Sequence, residues 1–291
     1  MSDLKDNKLF KAIKDKGTNL EAEMSFFDHL DILRKHLIRS AIAIIVFMGL
    51  AFYFYDFIFD TVIMGPSKPD FWTYRMLCEL GEYLHRPGFC VNAIKIDLIN
   101  TEMAGQFTLQ LNSSLIIGIT LGFPYLLYEI WLFIKPALHD KERKAASGFV
   151  LYASILFLIG VLFGYYVITP ESISFLANYN VSSSIKNLIS IDNYLSSVAT
   201  LTLSTGLVFE LPILIYILST MGLLTAKFMR ESRRYAIIII LIIAAVVTPT
   251  PDMLTMTVVS VPLFLLFEAS IFVAAAVDKR RALKHNELMS S

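Results

Sequence analysis

Between Arg234 and Asp252 the chain reads YAIIIILIIAAVVTPTP (residues 235–251), with thirteen consecutive apolar residues and no charge before Thr248. A stretch that is apolar on every side has no polar stripe to turn toward water, so it belongs in hydrocarbon or in the core of a large protein. In lipid it must be helical, because an α-helix satisfies its own backbone donors and acceptors. Pro249 and Pro251 forbid its continuation. From Tyr235 to Thr248 there is room for about 21 Å of helix, against a bilayer core of about 30 Å. The sequence therefore predicts a short membrane helix, a tight turn at 248–252 and a return. Beside longer helices, a short fifth/sixth hairpin is expected to make a concave, unevenly deep bundle; the alternative is an ordinary tilted hairpin packed on its neighbours.

The rest of the chain repeats the pattern. Charged residues are absent between Arg39 and Asp56, Glu102 and Glu129, Lys144 and Glu171, Asp192 and Glu210, and Glu210 and Lys227. These gaps predict an all-α membrane protein of six transmembrane helices at 37–59, 107–134, 147–168, 195–220, 235–249 and 252–277. The 291 residues are 56% apolar and 17% charged, with mean hydropathy +0.62. Soluble domains average about 45–50% apolar and about 25% charged, so the composition agrees. Twenty-five basic and twenty-five acidic residues cancel, which leaves no basic excess to suggest a nucleic-acid partner.

The charges are nevertheless sorted. Twenty of the twenty-five Lys and Arg fall in the N-terminal segment up to Arg39, the loops 135–146 and 221–234, and the tail 278–291. The other loops, 60–104, 169–194 and the turn 248–252, hold Lys68, Arg75, Arg86, Lys95 and Lys186. Positive charge marks the cytosolic side, so both termini are expected inside. Residues 1–24 have no apolar run long enough for a cleaved leader and are expected to form a charged cytosolic tail. Residues 25–36 place Phe26, Leu30 and Leu33 on one face, with Asp28, Asp31 and Lys35 opposite. That is an amphipathic helix able to lie at the interface before turning into the membrane. Its acids either face a cationic ligand or, for Asp31, pair with Lys35 four residues on.

Carboxylates inside the spans are the candidate functional groups, because a charge in hydrocarbon costs several kcal/mol unless paired or wet. Glu210 and Glu268 are expected near mid-depth, as functional groups or as hydrogen-bonded glue between helices. Glu129 stands six residues before Lys135 and is expected to reach the inner interface. In the inner loop, Glu142 lies among Lys141, Arg143 and Lys144. It is either neutralised by them or available to a guanidinium. Cys78 and Cys90 share the long outer loop. On an oxidising face they could close a disulfide, or remain free thiols.

Six ordered blocks carry a family resemblance. They are His29-Leu30 with Leu33-Arg34; Thr101-Glu102; Phe123-Pro124-Tyr125-Leu126-Leu127-Tyr128-Glu129-Ile130-Trp131 through Phe133, Pro136, Leu138, Glu142 and Arg143; Phe209-Glu210-Leu211-Pro212; Thr248-Pro249-Thr250-Pro251-Asp252; and Leu266-Phe267-Glu268. Over roughly residues 26–277 the chain resembles the TatC family of twin-arginine protein translocases. The resemblance implies a core subunit of the bacterial cytoplasmic membrane that receives twin-arginine signal peptides. It would export folded proteins at the expense of the proton motive force.

It further implies a signal-peptide site at Glu142 and Phe133, with Asp28, Asp31 and Arg34 of the N-terminal helix. Glu210 would contact single-span TatA/TatB-type subunits, and self-association and lipid contact are expected. The family pattern has Glu where this chain has Ile32, and Arg where it has His36.

Other classes fit less well. A proton-coupled small-molecule secondary transporter could use Glu210 and Glu268, but such proteins carry internal repeats and helices broken at mid-depth. Here the only strong break is read in the outer turn. An intramembrane hydrolase needs a nucleophile beside a base or metal; all five histidines are read outside the spans, with no metal-ligand spacing. No cofactor is expected, nor enzymatic activity.

Overall fold

The computed structural model describes residues 26–83, 85, 98–135, 148–180, 182, 187–248 and 253–290. The tail 1–24, Ser25, Cys90, Glu142 and the turn 249–252 lie outside this set, as does the side chain of Asp28.

Helices account for nearly all of the structure. In chain order the main ones are α1 (Phe26–Tyr53), α2 (Trp72–Tyr83), α3 (Gly105–Ile134), α4 (Phe149–Phe163), α5 (Thr169–Asn178), α6 (Ile191–Phe209), α7 (Leu211–Thr220), α8 (Ala226–Glu231), α9 (Arg233–Val247) and α10 (Met253–Ser290). Among the described residues five stretches are long and apolar enough to cross a membrane: Leu30–Tyr53, Gly105–Ile134, Phe149–Asn178, Ile191–Thr220 and Met256–Leu283. Helix α9 has 15 residues, about 22 Å, and so is the short element its sequence predicts. Its partner α10 is not short. It runs 38 residues, through Pro262 and past residue 277.

Three boundaries differ from expectation. Helix α1 passes residues 36 and 37 without a break, so the amphipathic segment is the first part of a single helix rather than a separate one. No proline interrupts residues 26–53, so nothing in the sequence ends the helix between the two segments. After Phe163 the third span continues through a π-helical turn, Gly164–Ile168, into α5 with Pro170 in the first turn. The fourth span is interrupted at Glu210, between α6 and α7.

Packing relies on small residues, as is usual where apolar side chains gain nothing by leaving lipid. Helix α1 lies along α3, and a Cβ on Gly118 would come within 2.8 Å of the Met48 backbone nitrogen. On α4, a Cβ at Gly160 would come within 2.7 Å of Phe209. The largest buried cluster joins Ile168, Leu201, Phe209, Ile240, Ala244, Val259 and Leu263. It ties the α4–α6 pair to α9 and α10.

The outer segments form a small cap. Strands β1 (Leu98–Ile99) and β2 (Ile189–Ser190) pair in parallel and join the loops 60–104 and 169–194. Buried tyrosine hydroxyls satisfy loop carbonyls: Tyr74 donates to Pro66 O at 2.9 Å and Tyr194 to Ile63 O at 2.8 Å. Burial pushes the Tyr74 phenol well above its usual range. Cys78, on α2, is disulfide-bonded.

Candidate functional site

The described candidate residues gather in two places. At the first, the start of α1 meets the end of α3. Glu129 is buried, 2% exposed. His36 Nδ1 donates to its Oε2 at 2.5 Å, and Tyr125 donates its hydroxyl proton to Oε1 at 2.6 Å. Tyr125 sits four residues earlier on the same helix face, where side chains meet. His36 comes from the opposing helix and also sets its ring edge-on to Phe133, centroids 6.4 Å apart.

The expectation that Glu129 reaches the inner interface is thus corrected. Two partners hold it in the helix contact, because a buried carboxylate is stable only when its oxygens are occupied. The placement of every histidine outside the spans is corrected with it, since His36 lies within Leu30–Tyr53. One and a half turns earlier on α1, Asp31 is exposed and paired with Lys35 at 2.8 Å. Arg34 is exposed nearby. Asp31, Arg34 and Phe133 therefore belong to two helices that the His36–Glu129 contact pins together. Sequence reasoning missed His36 and Tyr125 as partners. The available signals were the i,i+4 spacing of Tyr125 and Glu129, and a histidine where the family pattern has arginine.

Glu210 forms the second place. It occupies the break, with φ −76° and ψ −6°. Its own N–H bonds back to Leu207 O at 3.1 Å, a tightened i−3 turn, and Pro212 has no N–H to continue the ladder. This interruption inside a span corrects the reading that confined strong breaks to the outer turn. Glu210 is half-buried, and its Oε1 is buried with no hydrogen-bond partner in the described structure. An unpaired polar atom in an apolar surround is costly.

Glu268 is bonded between helices, the second of the two readings offered for it. Arg233 donates to its Oε2 at 2.8 Å. The cause is the shortness of α9, whose first residue stands level with the middle of α10. Arg233 is 50% exposed and Glu268 23%, so the pair lies at an edge of the bundle.

Comparison with known proteins places this geometry in context. Residues 28–262 match the family model described as TatC, Sec-independent protein translocase protein. A protein named Sec-independent protein translocase protein TatC from Blattabacterium sp. subsp. Periplaneta americana (strain BPLAN) is 37% identical over 265 residues, 90% of this chain and 99% of its own. Its counterpart from Koribacter versatilis (strain Ellin345) is 32% identical, covering 91% and 90%. A crystal structure described as the twin arginine translocase receptor TatC in DDM superposes with a TM-score of 0.63 at 31% identity, over 84% of this chain and 99% of the other.

Proposed function

Because the chain belongs to the TatC family of Sec-independent protein translocase proteins, we propose that it is the subunit that receives twin-arginine signal peptides. It is a membrane protein of the Tat translocase and works with other Tat components. In our reading six helices span the bacterial cytoplasmic membrane as a concave bundle with both termini inside, α9 being the short fifth. Export of folded cargo is driven by the proton motive force.

The observation that carries this reading is the family match across residues 28–262. Two guanidinium groups arriving at the inner surface need carboxylates, and planar guanidinium pairs with them through two parallel bonds. Glu142 is assigned as the principal acid, with Phe133, Asp28, Asp31 and Arg34 around it. Ile32 offers no acid, and Asp31 is one residue away, rotated by about 100° and paired with Lys35. Glu142 therefore carries more of the recognition here than a two-acid site would ask of it. Glu210, with an unpartnered oxygen at a helix break, is assigned as the contact to a single-span TatA/TatB-type subunit. Cys78 and Cys90 are assigned as the disulfide of the outer loop.

Photocrosslinking in native membranes tests both assignments. A probe beside Glu142 is expected to label a twin-arginine signal peptide, and labelling is lost in Glu142→Ala. A probe beside Glu210 is expected to label a single-span subunit. Undiminished peptide labelling in Glu142→Ala would overturn the receptor assignment. The broken span at Glu210 also suits a proton-coupled small-molecule transporter; proton flux in liposomes holding this protein alone would favour that reading instead.

A further inference from the structure

Where the start of α4 meets α7 and the second half of α10, the helices leave a groove of about 330 Å³ between them. Its walls are Phe149, Tyr152 and Leu156 of α4, Ile213 and Tyr216 of α7, and Val273 of α10. Its single charged lining residue among those described is Arg280. Leu156 is eight residues along α4 from Gly148, about 12 Å, and Arg280 is seven residues along α10 beyond Val273, about 10 Å. The groove is therefore apolar along its length and cationic toward the end of α10.

Of the other charges on this stretch of α10, Lys279 is exposed beside Arg280 and three are engaged. Asp278 accepts from Ala226 N at 2.8 Å, Glu268 is paired with Arg233, and the Arg281 guanidinium packs against Gly222. No carboxylate pairs with the exposed Arg280 among the described residues. The described residues therefore leave its charge open to an anionic ligand.

We propose that this groove is a binding site for an anionic phospholipid, one acyl chain lying along the apolar walls and the phosphate resting on Arg280. Buried apolar area and attraction between a basic residue and an anionic headgroup together set the strength of such contacts. Free phosphate would have no use for the apolar walls, and a neutral lipid would leave Arg280 without a counter-charge. A segment carrying two arginines would place like charges beside it, which disfavours that occupant. The proposal requires only that the chain is embedded in a membrane.

Native mass spectrometry of the full-length protein, delipidated and then equilibrated with equal amounts of phosphatidylglycerol and phosphatidylcholine, tests the proposal. Wild type is expected to retain phosphatidylglycerol in preference by roughly five-fold, the effect of one basic residue at an anionic headgroup. Arg280→Gln should bring the preference close to one, while Arg280→Lys keeps most of it. Ile213→Trp, which fills the groove, should lower retained lipid of both kinds. An unchanged preference in Arg280→Gln would overturn the headgroup assignment. Undiminished retention in Ile213→Trp would overturn the groove, and the exposed Arg280 variants give a result even if the tryptophan variant folds poorly.

Discussion

Glu129 and Glu210 are both carboxylates set within long apolar helices, yet one is fully satisfied and the other is not. The difference begins in their immediate neighbours. Around Glu129 the helix is unbroken and its i−4 residue is Tyr125, a donor. Around Glu210 the i−4 residue is Gly206 and the i+4 residue is Leu214, so its own helix has nothing to offer. Helix α1 then brings His36 to Glu129, whereas Oε1 of Glu210 meets no donor among the described residues. The same residue type thus serves as a structural clamp in one half and as an open valence in the other.

The largest effect is expected at the clamp. Glu129→Ala leaves His36 and Tyr125 facing each other without an acceptor, and removing one member of a buried pair costs about 3 kcal/mol. Thermal unfolding in detergent, followed by the fluorescence of Trp131, which is buried against Phe149, should show a clearly lowered midpoint. His36→Ala made on top of Glu129→Ala should add little, because the contact is already gone. Full additivity would mean that the two side chains do not act as a pair.

A second way to break the clamp acts on its spacing instead of its charge. Gly118→Ala forces a Cβ toward the α1 backbone, which cannot rotate away as a side chain can. About 2 kcal/mol of destabilisation is expected, the usual cost of overpacking. Gly122→Ala meets the Ile44 side chain at 3.0 Å and should cost less. Equal losses at the two glycines would argue against the close backbone approach at Gly118.

Glu268 extends the comparison to a carboxylate at the edge. Its pair with Arg233 is partly exposed, and such pairs contribute about 1 kcal/mol or less. Arg233→Ala should therefore lower stability only slightly, and more salt should shrink the difference further. A loss as large as that of Glu129→Ala would show that the pair is far drier than its exposure implies.

Five spans were legible in the sequence because each holds a long apolar run with few charges, and α3 was placed to within two residues at its start. The break at Glu210 was harder to read. Pro124 and Pro262 sit inside continuous helices, as neighbouring helices allow in membranes, so Pro212 alone did not announce an interruption. Contacts across the chain were less legible still. His36 and Glu129 are 93 residues apart, and nothing in a local pattern pairs them. The partner of Glu268 was hidden for a related reason, since Arg233 lies 35 residues earlier on another helix.

The smallest effect on stability, and the most informative, is expected at Glu210. Replacing it by leucine removes an oxygen that has no partner, so the folded protein loses nothing it had gained from that atom. Relieving an unsatisfied buried polar group is worth up to about 1–3 kcal/mol, offset here by the half-exposed position of the residue. The unfolding midpoint of Glu210→Leu should match wild type or exceed it slightly, while crosslinking to a single-span partner subunit falls. Glu210→Gln, which keeps hydrogen-bonding capacity without charge, should preserve part of that crosslinking. If Glu210→Leu instead lowers stability as much as Glu129→Ala does, Glu210 has a partner within the chain, and the contrast between clamp and open valence fails.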